Sequence, residues 1–397
     1  MSSLLRRLLP PGLAFCLCLS GAACGTSATP APPAAAPHPP QFLFEGGGTG
    51  RQVIYSMSPG DAGPLALTDG AANDGGPLWS PDGSRIAFIS DRAGQPEIYV
   101  MNPDGSQQTR ITESPLQKWW LSWSPDGRQI SFQSGGSGLV DLYAAEVGGG
   151  APVRLAAQVN SPHPCVWSPD SSRLAFAEQA DAGGKLYIVG RDGRGLRPLT
   201  AEPFLIRALA FSPDGRRLMF SGASLAGRVD DQLYGVEADG SDLKQLTQPP
   251  GRSIPWFWSE DGQRLFFMSD RDGSLQLYQM NADGTGLARL TQAAGNQEPA
   301  GRSPDGSRLA FVSDRDGYRE LYVTRGDGSQ ERKVTALRQQ ISQVWWSPDG
   351  QYFGVSSNLD KEYRAANWKT WLVSADEALQ LDLTPYTGGR SPLAWRP

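Results

Sequence analysis

Two histidines, His38 and His163, and four cysteines are the scarce ligating and reactive side chains of this 397-residue chain. A metal centre built from several histidines is excluded by count, and base catalysis by histidine would rest on His163 alone. His163 lies between Pro162 and Pro164 with no acidic neighbour, so it reads as a contact residue and not as a base. No Gly-x-Ser-x-Gly elbow is present to carry a serine nucleophile. The turns Asp91-Arg92, Asp270-Arg271 and Asp314-Arg315, with Asp272 and Asp316 close behind, offer two carboxylates each at most. Calcium needs more converging oxygens than that, and an Asp-Arg pair serves more simply to cap a turn. No catalytic residue, metal or cofactor is therefore expected. A mixed set does recur near one repeated position: Trp119, His163, Arg207 and Glu298 lie four residues before a periodic anchor, with Lys118, Arg252 and Arg390 one or two residues upstream of that position. An aromatic among cations suits a peptide or a glycan better than a metal.

The elements that must position these residues follow from a repeat. The segment WSPDGSRIAFISDRAGQPEIYVMNPDGSQQTRIT, residues 79–112, has relatives that begin at Trp123, Trp167, Phe211, Trp258, Arg302 and Trp346, in steps of 44, 44, 44, 47, 44 and 44 residues. Apolar residues alternate within each copy, and Pro-Asp-Gly or Asp-Gly separates the runs, which predicts four short strands per unit. Tyr99, Tyr143, Tyr187, Tyr234, Tyr278 and Tyr322, with Trp371, each precede a closing residue (Thr112, Ala156, Thr200, Thr247, Thr291, Thr335, Thr384) by 13 residues. Eleven more lead to the next anchor, the last of them Trp395. Tyr55 and Thr68 keep the same spacing, so three strands at the N-terminal end lack the first strand that Trp395 would supply. The expected fold is all-β: an eight-bladed β-propeller of seven complete four-stranded blades, plus one closed by the C-terminal strand joining three N-terminal strands, spanning residues 41–397 as one domain. Arg302 stands where other copies have Trp or Phe, and if buried it requires a carboxylate partner.

WSPDG, the Ser-Asp-Arg-x-Gly turns and the Asp-Gly turn before each fourth strand resemble the TolB-type propeller repeat, over everything after residue 40. That repeat is shared by TolB-like envelope proteins, propeller domains of prolyl-oligopeptidase relatives and pectate-fragment lyases, so the resemblance implies the fold more sharply than the activity. In TolB the ring has six blades behind a separate N-terminal domain, and its partner is the peptidoglycan-associated lipoprotein. Neither feature is expected here, and that partner is not carried over. The resemblance implies a non-enzymatic propeller that presents one face to an envelope protein or a cell-wall component. The alternatives are a carbohydrate-binding module, suggested by Trp119, Trp120, Trp256 and Trp345, and a propeller without its partner peptidase domain.

Residues 1–23 read as a secretory signal peptide: two arginines, a short apolar run, then small residues up to Cys24. LSGAAC is similar to the lipobox of bacterial lipoproteins, with Gly21 where the pattern has Leu and Leu19 two residues further back. This similarity implies lipidation of Cys24, anchorage to a membrane and a periplasmic or outer-membrane location. Residues 24–40 would form a Pro-rich tether, its last 13 residues about 40 Å long at ~3.1 Å per residue. Cys165 would then be the lone thiol of the folded part. The net charge of −5, or −7 without Arg6 and Arg7, gives no reason to expect nucleic acid. A monomer is expected. With 47 Gly and 32 Pro, long helices are excluded. The longest departures from the repeat, residues 221–232 and 356–369, fall between second and third strands, on the face shared with the blade connections. Loops that vary on a constant scaffold are candidates for binding.

Overall fold

A computed structural model describes residues 40–47, 50–135, 140–159, 165–178, 183–224, 231–359, 367–389 and 392–397. Eight four-stranded antiparallel sheets form the blades of a propeller. The first, innermost strands of blades 1 to 7 are Asp74–Trp79, Gln117–Trp123, Val166–Trp167, Phe204–Phe211, Ser253–Trp258, Gln297–Arg302 and Gln340–Trp346. Blade 8 is composite: Phe42–Gly46, Val53–Met57 and Leu65–Ala66 are completed by Ala394–Trp395, with Phe42 opposite Trp395 and Leu43 opposite Ala394. Among the described residues the only helix is one turn, Thr384–Thr387, and no helix is long and apolar enough to cross a membrane.

Each sequence marker has a mechanical role. The periodic tyrosines stack on a second-strand phenylalanine, with ring centroids 5.7 Å apart for Phe88 and Tyr99 and 5.3 Å for Phe220 and Tyr234. Such cross-strand aromatic pairs favour a half-buried sheet surface. The 13-residue spacing arises because the closing threonine hydroxyl accepts the N–H of the residue before the aromatic: Ile98 to Thr112 at 2.9 Å, Leu277 to Thr291 at 3.0 Å, Leu321 to Thr335 at 2.9 Å. Three of the anchor tryptophans staple neighbouring blades through the indole N–H. Trp79 Nε1 donates to Ala394 O, Trp123 Nε1 to Leu78 O and Trp395 Nε1 to Trp345 O, each at 3.1 Å.

Arg302 replaces one such staple. Its guanidinium lies 5.6 Å from the centroid of the Phe257 ring, and Nη2 donates to Glu260 Oε1 at 2.6 Å. Glu260 stands where the other turns have proline, in Ser259-Glu260-Asp261-Gly262. Two departures from the repeat, on adjacent blades, thus satisfy each other and leave a cleft of about 400 Å³ lined by Arg264, Phe266, Arg302 and Asp327 among others. Because Glu260 is largely exposed, the pair contributes only about 0.5–1 kcal/mol. Restoring both repeat residues, Glu260→Pro with Arg302→Trp, is expected to fill the cleft and stabilise the protein by about 1 kcal/mol in guanidinium denaturation. A less stable double variant would contradict this reading of the seam.

The SPDG turns cap themselves. In the sixth blade Ser303 Oγ donates to Asp305 Oδ1 at 2.5 Å, the Ser307 hydroxyl donates to Oδ2 at 2.8 Å, and the Ser307 N–H donates to Oδ1 at 3.1 Å. The Ser303 and Ser307 hydroxyls and the Ser307 N–H hold the Asp305 carboxyl down at about 2. Unfolded aspartate titrates near ~3.9, so a depressed native value stabilises the fold above about pH 4, and the gain is lost as pH falls toward about 2. Asp305→Asn is expected to be less stable than wild type at neutral pH, with a smaller further loss between about pH 4 and pH 2 in urea titrations. Equal acid sensitivity in the two proteins would contradict this.

Candidate functional site

The channel mouth lies on the face that carries the blade connections. The first residue of an inner strand is fixed by the preceding blade: Asp74 N donates to Gln52 O at 3.0 Å, Phe204 N to Gly184 O at 2.8 Å, Ser253 N to Asp231 O at 2.6 Å and Gln297 N to Leu275 O at 2.7 Å. Just beyond, the register shifts by one residue, between Gly75 and Leu78, Trp119 and Ser122, Ile206 and Ala208, Pro255 and Phe257, Pro299 and Gly301, and Ile341 and Gln343. A bulge bends its strand and re-aims side chains, and such bulges are over-represented next to active sites.

Trp119 and Trp120 come out at the second of these bulges, both 37% exposed. Trp120 has φ 55°, a left-handed conformation that is costly for a bulky side chain, on the order of 1–3 kcal/mol. Its counterpart in blade 1 is Gly76, at φ 63°, where the same backbone costs nothing. The other two tryptophans differ. Trp256 is buried edge-on against Phe257, with centroids 4.5 Å apart, and Trp345 is half-buried.

Among the described residues, the cations expected at the rim are each engaged. Arg207 is exposed, and its Nε donates to Asp231 Oδ2 at 2.6 Å. Arg252 donates from its backbone N (2.6 Å) and its Nε (3.0 Å) to the two Asp270 oxygens. Glu298 is gripped by Arg319, whose Nη1 and Nη2 donate at 2.5 and 2.6 Å while Nε donates to Ile341 O at 2.8 Å. Lys118 is a correction. It was expected at the rim, but its side chain is fully enclosed, with Nζ donating to the carbonyls of Pro96 (2.8 Å), Ser114 (2.8 Å) and Leu116 (2.9 Å) and paired with Glu97 at 3.0 Å. Residues alternate along a strand, so if the position of Trp119 faces the channel, the one before it faces the gap between sheets. His163, Arg390 and Cys24 lie outside the described residues, as do the tips of both long hairpins.

The Ser-Asp-Arg turns act as brackets. Asp91 accepts from the Asn73 N–H (2.9 Å) and side-chain amide (2.6 Å), and Asp314 does the same with Asn296 at 2.7 and 2.8 Å. The arginines fold back over the stacked rings, Arg92 at 4.9 Å from the centroid of Tyr99 and Arg315 at 4.2 Å from that of Tyr322. Asp272 and Asp316 accept the hydroxyls of Tyr278 and Tyr322 at 2.6 Å, and burial followed by the Asp272 bond pushes Tyr278 up to about 12.

Sequence reasoning missed Glu45 and Gln52, which reach over the blade 1 mouth. Glu45 Oε1 accepts from Gly76 N at 2.6 Å and Oε2 from Gln52 Nε2 at 3.2 Å. Burial pushes the Glu45 carboxyl above its ordinary value, against the Gly76 bond that lowers it. The only signal was the Gly75-Gly76 pair, two side-chain-free residues at an inner-strand entry.

A family model described as the TolB beta propeller domain matches residues 24–204 and 161–300. No curated protein matches the chain. Among solved structures, dipeptidyl peptidase 4 from Porphyromonas gingivalis is 14% identical with a TM-score of 0.63, covering 84% of this chain and 56% of its own length. An oligogalacturonate lyase solved in complex with manganese is 15% identical with a TM-score of 0.57, covering 85% and 96%. A protein described as a TolB from Agrobacterium tumefaciens is 20% identical with a TM-score of 0.45, covering 73% and 93%. At such identities the likeness to the peptidase and the lyase shows the fold alone. Among the described residues no three His, Cys, Asp or Glu side chains cluster as a metal site would require.

Proposed function

The chain belongs to the TolB beta propeller domain family, and we propose that it is an exported, non-catalytic envelope propeller, anchored through Cys24, that binds a protein or cell-wall partner at the channel mouth. The observation that carries this reading is the strained, exposed Trp119-Trp120 pair at that mouth. Exposed aromatic surface held in an unfavourable backbone conformation points to recognition, since folding alone would place glycine there as in blade 1. The charged groups around it are paired and bracketed, which suits a rigid binding surface more than proton transfer.

Affinity capture from detergent-solubilised envelopes, with wild type, Trp119→Ala and Arg207→Ala, tests the reading. Recovery of a specific partner is expected to fall about tenfold or more with Trp119→Ala, and less with the charge-paired Arg207→Ala. Equal recovery by all three folded proteins would overturn the mouth as the binding surface.

A further inference from the structure

The mouth changes character over three neighbouring blades. On blade 8, Glu45 and Gln52 lie over Gly75, where an added Cβ would sit 3.5 Å from Glu45 Oε1 and 3.0 Å from Gln52 Oε1. On blade 1, Gly75 and Gly76 present bare backbone, and a Cβ on Gly76 would meet nothing within 4 Å. On blade 2 stand Trp119 and Trp120. A hydrogen-bonding wall, a gap and an aromatic surface therefore follow one another around a third of the ring.

The cations of blades 1 and 2 beside this sector are matched: Arg92 with Asp74 at 2.9 Å and Lys118 with Glu97 at 3.0 Å. A strongly anionic ligand would have to break one of these pairs and would face the Glu45 carboxyl. An uncharged ligand with an apolar face and a hydroxyl-lined edge would not, and a pyranose ring is such a ligand: its C–H face packs on an aromatic ring, and its hydroxyls bond carboxyl and amide groups.

Resting on the reading of the mouth as the binding face, we propose that the sector formed by blades 8, 1 and 2 binds an uncharged glycan, one pyranose ring stacked on Trp119-Trp120 and its hydroxyls bonded to Glu45 and Gln52. A proline-rich peptide also packs on tryptophan, but it would leave the Glu45 and Gln52 wall with few donors to meet, because proline has no N–H.

Calorimetric titration of the full chain with cellotetraose, chitotetraose and hexaproline decides it. At least one sugar is expected to bind wild type, hexaproline is not, and Trp120→Gly is expected to weaken the sugar by about tenfold. Trp120→Gly is the informative variant, since glycine adopts the required φ and the fold should melt no earlier than wild type. Gln52→Ala should weaken the same sugar by several-fold. No sugar binding to wild type, binding unchanged in Trp120→Gly, or binding of hexaproline alone would each overturn the proposal. Envelope capture with Trp120→Gly separates the two failures: a partner lost while no sugar binds overturns the glycan and leaves the mouth as binding face, whereas an unchanged partner with no sugar bound overturns both.

Discussion

Lys118→Ala is expected to destabilise the ring by about 3–5 kcal/mol, a loss usually associated with core residues. The reason lies in what remains. Glu97 is almost wholly buried, with Oε2 accepting from the Thr112 hydroxyl at 2.5 Å and Oε1 from Ser114 N at 2.7 Å. Without the ammonium its charge is uncompensated, and the carbonyls of Pro96, Ser114 and Leu116 lose their shared donor. Breaking one side of a buried pair costs more than replacing both. Blades 5 and 6 show how both can be replaced: Gln276 takes the place of Glu97 and accepts the Thr291 hydroxyl at 2.8 Å, and Gln297 takes the place of Lys118, its Nε2 donating to the carbonyls of Ala294 at 3.1 Å and Gly295 at 3.2 Å. Glu97→Gln with Lys118→Gln is therefore expected to recover more than half of the loss in urea denaturation. A cost below about 1 kcal/mol for Lys118→Ala would mean that the ammonium is not enclosed, and Lys118 would return to the rim.

Trp395→Ala is expected to cost about 3 kcal/mol, and removal of residues 392–397 to open the ring. Trp395 packs edge-on against Phe42 at 5.1 Å and donates to Trp345 O, so one side chain joins blades 7 and 8. Arg396 continues the seam to blade 1: its N donates to Gln41 O at 2.7 Å, its Nε to Gly83 O at 3.0 Å, and its guanidinium lies 5.2 Å from the Trp79 ring. Losing this strand exposes the edge of Phe42–Gly46, whose apolar residues would then pair with another chain. Light scattering should show concentration-dependent association of the shortened protein, together with a lower melting temperature. A shortened protein that stays monomeric and melts like wild type would contradict closure by this strand.

The architecture was legible because its markers are local and repeated. The SPDG turn closes within five residues, and the Tyr-to-Thr spacing is the length of a single hairpin. The site was legible only in part. Counting back from the anchor places Trp119, Arg207 and Glu298 in inner strands and Arg252 just before one, and the structure has them there. Lys118 was misjudged because a lysine suggests solvent, while its partner Glu97 sits on the preceding blade without a local signal. The Arg302–Glu260 pair was half visible: the arginine stood out, but its partner, 42 residues away, was a proline turned to glutamate in an otherwise ordinary turn. The bulges that turn Trp120 outward left no mark in a single sequence, because a left-handed tryptophan has no compositional signature of the kind that glycine gives.

Photo-crosslinking in intact cells tests the proposed binding role of the mouth most directly, with benzoylphenylalanine placed at Trp119 on the mouth face or at Leu243, an exposed residue before a fourth strand on the opposite face. Adducts from position 119 and none from position 243 are predicted. Equal yields from both positions, or adducts from 243 alone, would contradict the claim that this propeller works through its channel mouth.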